Sequence, residues 1–336
     1  MDSKLKQWLT VMFVALLLVP VQSLYADITD SITKSFRVDD GGTLTIESDL
    51  GSIEITTNNN GKVEVEIIRR VDTNNRDRAD EILEKLEIDV TQHGNNVDID
   101  ADYDRGSDGF FGFLHFDRRN LNVKYQISVP EKYNVDLKTA GGSISVDDLE
   151  GKVQCKTSGG SLHFGNVYGP VLGRTSGGSI TLNDCSGTVD VHTSGGSIKM
   201  GEVDGDVEAK TSGGSIRIES ASGNVYAKTS GGSITVEEVM GHIEAGTSGG
   251  SITAHISRQP ENDCRLTTSG GSINIYLASD INVDVNARTS GGRVTTDIPV
   301  TITGELSKNS LNAEINEGGP ELYLRTSGGN VNLHKM

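Results

Sequence analysis

The stretch Thr193-Ser194-Gly195-Gly196-Ser197-Ile198-Lys199-Met200-Gly201-Glu202-Val203-Asp204-Gly205-Asp206-Val207-Glu208-Ala209-Lys210 is one whole copy of a repeat, and Thr211 begins the next. Its opening phrase, T-S-G-G-S-I or a close variant, starts at Thr139, Thr157, Thr175, Thr193, Thr211, Thr229 and Thr247, at a constant interval of 18 residues. It returns at Thr268 and Thr289 after two intervals of 21, and at Thr326 after a longer gap. A fixed period of this length marks units that stack on one another, because one short unit cannot bury an apolar face alone.

Count the threonine as place zero. Place five is then Ile144, Leu162, Ile180, Ile198, Ile216, Ile234 or Ile252, and place seven is apolar as well, from Val146 to Ala254. Places ten, fourteen and sixteen carry Val203, Val207 and Ala209 in the quoted copy and similar residues in the others. Within each segment the apolar spacing is two, with polar residues between, which is strand periodicity. Each rung is expected to hold two short strands. The Gly-Gly pair forms one corner, and the glycine at place twelve, such as Gly205, forms the other. Glycine suits both corners because it reaches positive φ and carries no Cβ.

The fold class that follows is all-β: a single-chain parallel β-solenoid (β-helix) of 18-residue rungs with a small mixed α/β N-terminal cap. The crossover rule favours a right-handed coil. At about 4.8 Å per rung, ten phrases imply a rod about 50 Å long before caps are added. Each inward Ile or Val contributes about 1.5–3 kcal/mol. The threonine at place zero falls on the inward phase and reads as a hydrogen-bonded internal ladder. Small residues at place sixteen, such as Gly173, Ala209 and Ala227, point to closely spaced strand layers.

The chain has 336 residues and a net charge of -17. Residues 1–26 read as a secretory signal: Lys4 and Lys6, an apolar run from Trp8 to Val19, and Leu24-Tyr25-Ala26 before the cut, with cleavage after Ser23 as the alternative. The apolar run is short for a membrane span, and no other such run follows. Without the signal, 28 basic residues stand against 46 acidic ones, a net charge of -18. Such acidity argues against nucleic acid as a partner and favours solubility. The cysteines are Cys155, Cys185 and Cys264. All fall on inward columns or their continuation and are expected to be free core thiols, without a CxxC metal or redox motif.

Four regions are expected. They are the signal (1–26), an N-terminal capping region with degenerate β rungs and one short helix (27–138), the regular solenoid (139–292), and C-terminal rungs with a cap (293–336). In the second region, Thr43–Ile46, Ser52–Thr56 and Lys62–Ile68 alternate like strands, and Gly51-Ser52-Ile53-Glu54-Ile55 resembles a degenerate rung. Ala79, Ile82, Leu83 and Leu86 share a helical face, which predicts a short amphipathic helix over Asp77 to Leu86. Val97–Ala101 and Leu121–Val129 read as strands, and Thr326 opens what reads as the closing rung. A solenoid needs such caps to blunt its open strand edges.

G-x-I/V-x-V strands alternating with G-x-V-x-x-x-T-S-G-G, the segment Val123 to Pro130, and the ending from Leu311 to Lys335 together resemble the bacterial "putative adhesin" family of domains of unknown function. The resemblance covers roughly residues 35–335. It implies an exported β-solenoid with a cell-surface or envelope role. It brings no catalytic residues, metal ligands or cofactor sites.

Several groups of residues invite a functional reading. Place seventeen forms an outward basic column that includes Lys156, Arg174, His192, Lys210 and Lys228, a candidate stripe for an anionic polymer such as surface polysaccharide. Asp190, Glu208 and Glu244 stand two residues earlier, so the plainer reading is a solvated face whose opposed charges offset like-charge stacking. Asp147-Asp148, Asn183-Asp184 and Glu237-Glu238 sit at a turn, where carboxylates are ordinary, and the paired-carboxylate chemistry of glycosidases needs a cleft that a thin rod lacks. A calcium β-roll needs G-G-x-G-x-D, which G-G-S-I does not supply. The outward sixth place is too mixed for a regular Thr array. His163 and His192 show no ligand spacing. Gly109 to Phe116 holds Phe110, Phe111, Phe113 and Phe116, four of the six phenylalanines outside the signal. They form either an exposed interaction tip or a plug for the first rung.

The sequence thus points to an exported non-catalytic solenoid, an adhesin or cell-envelope structural or interaction protein. It has no cofactor, and its partner is an envelope protein or a surface polysaccharide. An envelope-stress or signalling accessory that binds a protein is the alternative, and a polysaccharide-acting enzyme ranks third. Periplasm, cell surface and medium all remain open as locations.

Overall fold

The computed structural model describes residues 27–104 and 120–336. In the quoted rung, Ile198–Val203 lies in a 14-stranded sheet and Val207–Lys210 in a 15-stranded sheet facing it. Successive regular rungs pair in parallel at an offset of one repeat, so that Ile198 meets Ile216 and Val207 meets Val225. The inward columns are buried throughout, including Ile198, Met200, Val203, Val207 and Ala209. The chain is therefore a nearly all-β, parallel solenoid with one short helix among the described residues.

The rung has one feature beyond the two expected strands. Place ten makes a third, minor ladder: Leu149–Glu150 pairs with Val167–Tyr168, and bridges continue from Val167 to Cys185 and Val203. Side-chain volume is balanced within a rung. Phe164 is large, and Gly173 in the same rung is small. A Cβ on Gly173 would stand 3.4 Å from the Phe164 ring, 3.3 Å from Leu162 and 3.1 Å from Val191. Close packing of this kind leaves little room for change.

The T-S-G-G-S corner is a set of interlocking hydrogen bonds between rungs. Thr211 Oγ1 donates to the Gly196 carbonyl of the preceding rung at 2.7 Å, and Thr157, Thr175, Thr193, Thr229 and Thr247 repeat that bond at the same distance. The Ser215 amide donates to Ser197 Oγ at 3.2 Å, and neighbouring serines do likewise. The threonine ladder is thus internal, as its phase predicts. The second glycine of the phrase has no positive φ in any rung. Close approach requires it instead: a Cβ on Gly214 would lie 2.2 Å from the Gly196 carbonyl oxygen.

Twelve rungs stack among the described residues, and their order in space differs from their order in sequence at both ends. The first rung in the chain, Thr43–Ser48 with Ser52–Asn58, lies between Asn96–Tyr103/Leu121–Pro130 and Asn134–Thr139/Ile144–Val146. The last, Glu321–Thr326 with Val331–Lys335, is not the closing rung that its place in the sequence suggests. It is inserted between Cys264–Thr268/Ile273–Leu277 and Val283–Thr289/Val294–Thr296. Each terminal rung is held by ladders on both sides, which opposes fraying from the chain ends. With the antiparallel strands beyond the rungs, the stack spans about 65 Å at 4.8 Å per strand, longer than the phrase count alone implies.

At one end Lys62–Val71 and Ile28–Arg37 extend the first sheet in antiparallel fashion, and Leu86–His93 extends the second. The helix Arg76–Glu84 begins at Asn75, whose side chain accepts from the Arg78 amide, and it buries Ala79, Ile82 and Leu83. It stops before Leu86, which starts the next strand. At the other end Ser310–Ile315 and Thr301–Ser307 continue only the second sheet. Thr301–Ser307 is an edge strand exposed along its whole length, with Ile302 43% and Leu306 66% accessible. Cys155, Cys185 and Cys264 are buried and free. Burial pushes the Cys185 and Cys264 thiols up to about 11 and raises Cys155 further.

Candidate functional site

The basic column of place seventeen lies on the outer face of the second sheet. Its members pair strand to strand: Lys156 with Arg174, Arg174 with His192, His192 with Lys210, and Lys210 with Lys228. Like charges directly opposite one another repel, and the acidic column beside them offsets this. Arg174 bonds Asp190 at 2.5 Å, Lys210 bonds Glu208, and Lys228 bonds Glu244 at 3.1 Å. Lys210 holds Glu208 below the usual carboxylate range. Lys156 has no ion pair among the described residues. An anionic polymer would therefore meet Arg174, Lys210 and Lys228 as partners in existing pairs, not as free cations. Tyr226 lies between two lysines, with Lys210 Nζ 4.6 Å and Lys228 Nζ 4.4 Å from its ring centre.

A groove of about 400 Å³ runs across this face, lined by Asp190, Asp206, Glu208, Tyr226, His242 and Glu244 among others. Another, of about 490 Å³, crosses the first strands of the other sheet beside Glu54, Glu64, Glu66 and Gln126. Asp190 and Glu208, which line the first groove, come together with His192 beside it. His192 Nε2 is 3.5 Å from Asp190 Oδ1 and 3.3 Å from Glu208 Oε1. Burial, and then the Arg174 charge, lowers the His192 pKa and favours the neutral ring. The sequence reading sets Asp190 and Glu208 beside His192 only as charges that offset the basic column, and finds no ligand spacing for His192. The signal for the group was present in the register, since Asp190 and His192 share a strand face and Glu208 is the strand partner of Asp190.

The corner carboxylates have a structural task. Asp148 Oδ1 accepts the Asn166 amide at 2.7 Å, and Asp184 Oδ1 accepts the Glu202 amide at 2.9 Å, each one rung on. Asp147, pressed by burial and by its neighbour Asp148, has a raised pKa. Phe110, Phe111, Phe113 and Phe116 lie outside the described residues. In sequence they fall between the strands Asn96–Tyr103 and Leu121–Pro130. The signal reading of residues 1–26 also lies outside them. Among the described residues no helix is long and apolar enough to cross a membrane.

A stack of register-matched rungs with charged, ladder-paired faces defines an elongated parallel β-solenoid. The chain belongs to the Toastrack DUF4097 family, whose model matches residues 41–334. Among solved structures it is similar to one described as a putative adhesin from Bacteroides fragilis, at 14% identity over 91% of this chain and 97% of that one, TM-score 0.29. A putative lipid binding protein from Parabacteroides distasonis matches at 12% identity over 91% and 97%, TM-score 0.28. A putative cell adhesion protein from Clostridium sporogenes matches at 12% over 92% and 100%, TM-score 0.22. At such scores the superposition is loose, and family membership rests on the sequence model. No curated protein matches the chain.

Proposed function

We propose that this protein is an exported, non-catalytic adhesion or cell-envelope interaction protein that works by presenting its long sheet faces to a partner. The observation that supports this most is the repetition itself. The strands recur in register over a stack of twelve rungs among the described residues, giving outward positions spaced every ~4.8 Å and a basic column at place seventeen through Lys156, Arg174, Lys210 and Lys228, suited to a repeating or extended partner. The contact regions proposed are the charged stripe of Lys156, Arg174, Lys210 and Lys228 and the aromatic segment of Phe110, Phe111, Phe113 and Phe116. The test is capture of partners from native envelopes and on a glycan array. Wild type is compared with Lys210→Glu/Lys228→Glu and with Phe111→Ser/Phe113→Ser. Loss of a glycan signal in the lysine variant supports polymer binding. Unchanged capture by both variants removes both regions, and release of reducing sugar from polysaccharide overturns the non-catalytic reading.

A second reading, an accessory that binds an extended segment of another protein, is favoured by the edge strand Thr301–Ser307. Among the described residues its outer edge has no strand partner, and Ile302 and Leu306 are uncovered. Strand addition at such an edge supplies backbone hydrogen bonds together with side-chain pockets. Leu306→Lys should abolish this mode and leave the rungs intact. Capture of the same protein partner by that variant would count against it.

A further inference from the structure

We propose that Asp190, His192 and Glu208 form a binding site for one divalent transition-metal ion, of which zinc fits best, on the groove side of the second sheet. Three observations converge there. The first is spacing. A tetrahedral zinc ion with bonds of about 2.0–2.2 Å needs donor atoms about 3.4 Å apart. His192 Nε2 stands 3.5 Å from Asp190 Oδ1 and 3.3 Å from Glu208 Oε1, and all three donors lie within 4.8 Å of one another. The second is an orphaned acceptor: Asp190 Oδ1 is shielded from solvent and has no hydrogen-bond partner. A shielded, unpaired carboxylate oxygen is costly unless something binds it. The third is access, since Asp190 and Glu208 line the ~400 Å³ groove, which leaves room for a fourth ligand such as water.

The surrounding charges decide whether a dication can enter. Arg174 and Lys210 are both close, which opposes entry. Arg174, however, bonds Asp190 through Oδ2, leaving Oδ1 free. Lys210 Nζ, while bonded to Glu208, also lies 4.6 Å from the centre of the Tyr226 ring, a contact it can keep if it draws away from the carboxylate. Asp206 and Glu244 add negative charge to the same groove, and the whole chain is at -17, which concentrates cations at its surface. One imidazole and two carboxylates suit zinc better than calcium or magnesium, which take oxygen ligands. The site is built on adjacent strands of a formed ladder, so the rod folds without the ion.

Zinc is titrated into tag-free protein against a chromophoric chelator, with cobalt as a spectroscopic substitute. One equivalent should bind, with the intense visible bands of four-coordinate cobalt. His192→Asn and Glu208→Gln should each weaken binding at least tenfold while the circular dichroism stays that of the wild type. Lys210→Gln should tighten binding several-fold, because it removes the competing cation; a site elsewhere would not respond. Binding that persists in both His192→Asn and Glu208→Gln, binding lost only when His255 or His334 is changed, or no binding by wild type overturns the proposal.

Discussion

Neighbouring glycines of one corner should differ sharply in their tolerance of a methyl group. A Cβ on Gly142 would lie 2.0 Å from the Gly51 carbonyl oxygen, 2.3 Å from its carbon and 2.5 Å from the Ser52 nitrogen. These are backbone atoms and cannot rotate aside. A Cβ on Gly141 would meet nothing within 4 Å. To relieve Gly142→Ala the two rungs must part locally by more than 1 Å, about the shortfall from a normal contact distance of ~3.4 Å. That displacement breaks the Thr139 Oγ1 bond to the Gly51 carbonyl, 2.9 Å, and the Ile53 amide bond to Ser143, 3.0 Å. Each buried group left unpaired costs about 1–3 kcal/mol, so the substitution should cost about 3–5 kcal/mol. With ~2.1 cal/mol/K per residue of unfolding entropy, that is about 5–8 °C if the rod melts as one unit. Gly141→Ala should stay within about 0.5 kcal/mol. Thermal and urea unfolding of the two variants decide the matter. Equal losses, or a silent Gly142→Ala, would refute close approach as the reason for the second glycine.

Three further outcomes follow from the same geometry. Ile216 is buried between Ile198 and Ile234, so Ile216→Asp should prevent stable stacking of that rung. Arg217, in an exposed pair with Glu237 at 2.9 Å, should lose under about 1 kcal/mol as Arg217→Ala, and equal melting losses would mean the register is wrong. Cys185 and Cys264, with thiols pushed up to about 11, should not react with a disulfide reagent at pH 8 until the rod is unfolded; rapid labelling of folded protein would contradict their burial. On acidification, the first loss of stability should come from His192, whose folded-state pKa lies below the ordinary value of about 6.5. Its contribution is present above that pH and is lost as pH falls toward the lowered value. Glu54 and Glu208, also lowered, follow below about pH 4.3. Asp147, raised, has the opposite sign and relaxes on protonation. Melting curves of His192→Asn should lack the step that begins near pH 6.5.

The repeat made the rung legible because its period and its phase are both written in residue types. An offset of 18 residues gives strand partners directly, so register alone puts Asp190, His192 and Glu208 on one face; reading the two carboxylates only as charges that offset the basic column hid them as a group. The order of the terminal rungs was not legible, and the reason is chemical. Every rung that carries the T-S-G-G phrase or its close variant offers its neighbours the same glycine carbonyl, the same threonine hydroxyl and the same apolar columns. Thr326 donates to the Gly271 carbonyl at 2.7 Å and Thr289 to Gly329 at 2.6 Å, the bond that Thr211 makes to Gly196. A rung that bonds equally well to any other carries no local instruction about which neighbour to choose. The choice passes to connectivity. The 112-residue and 44-residue flanks, residues 27–138 and 293–336, contain antiparallel strands that cannot continue the ladder and therefore must lie outermost. The degenerate sequences of those flanks are what remains once a strand is released from matching rungs on both sides.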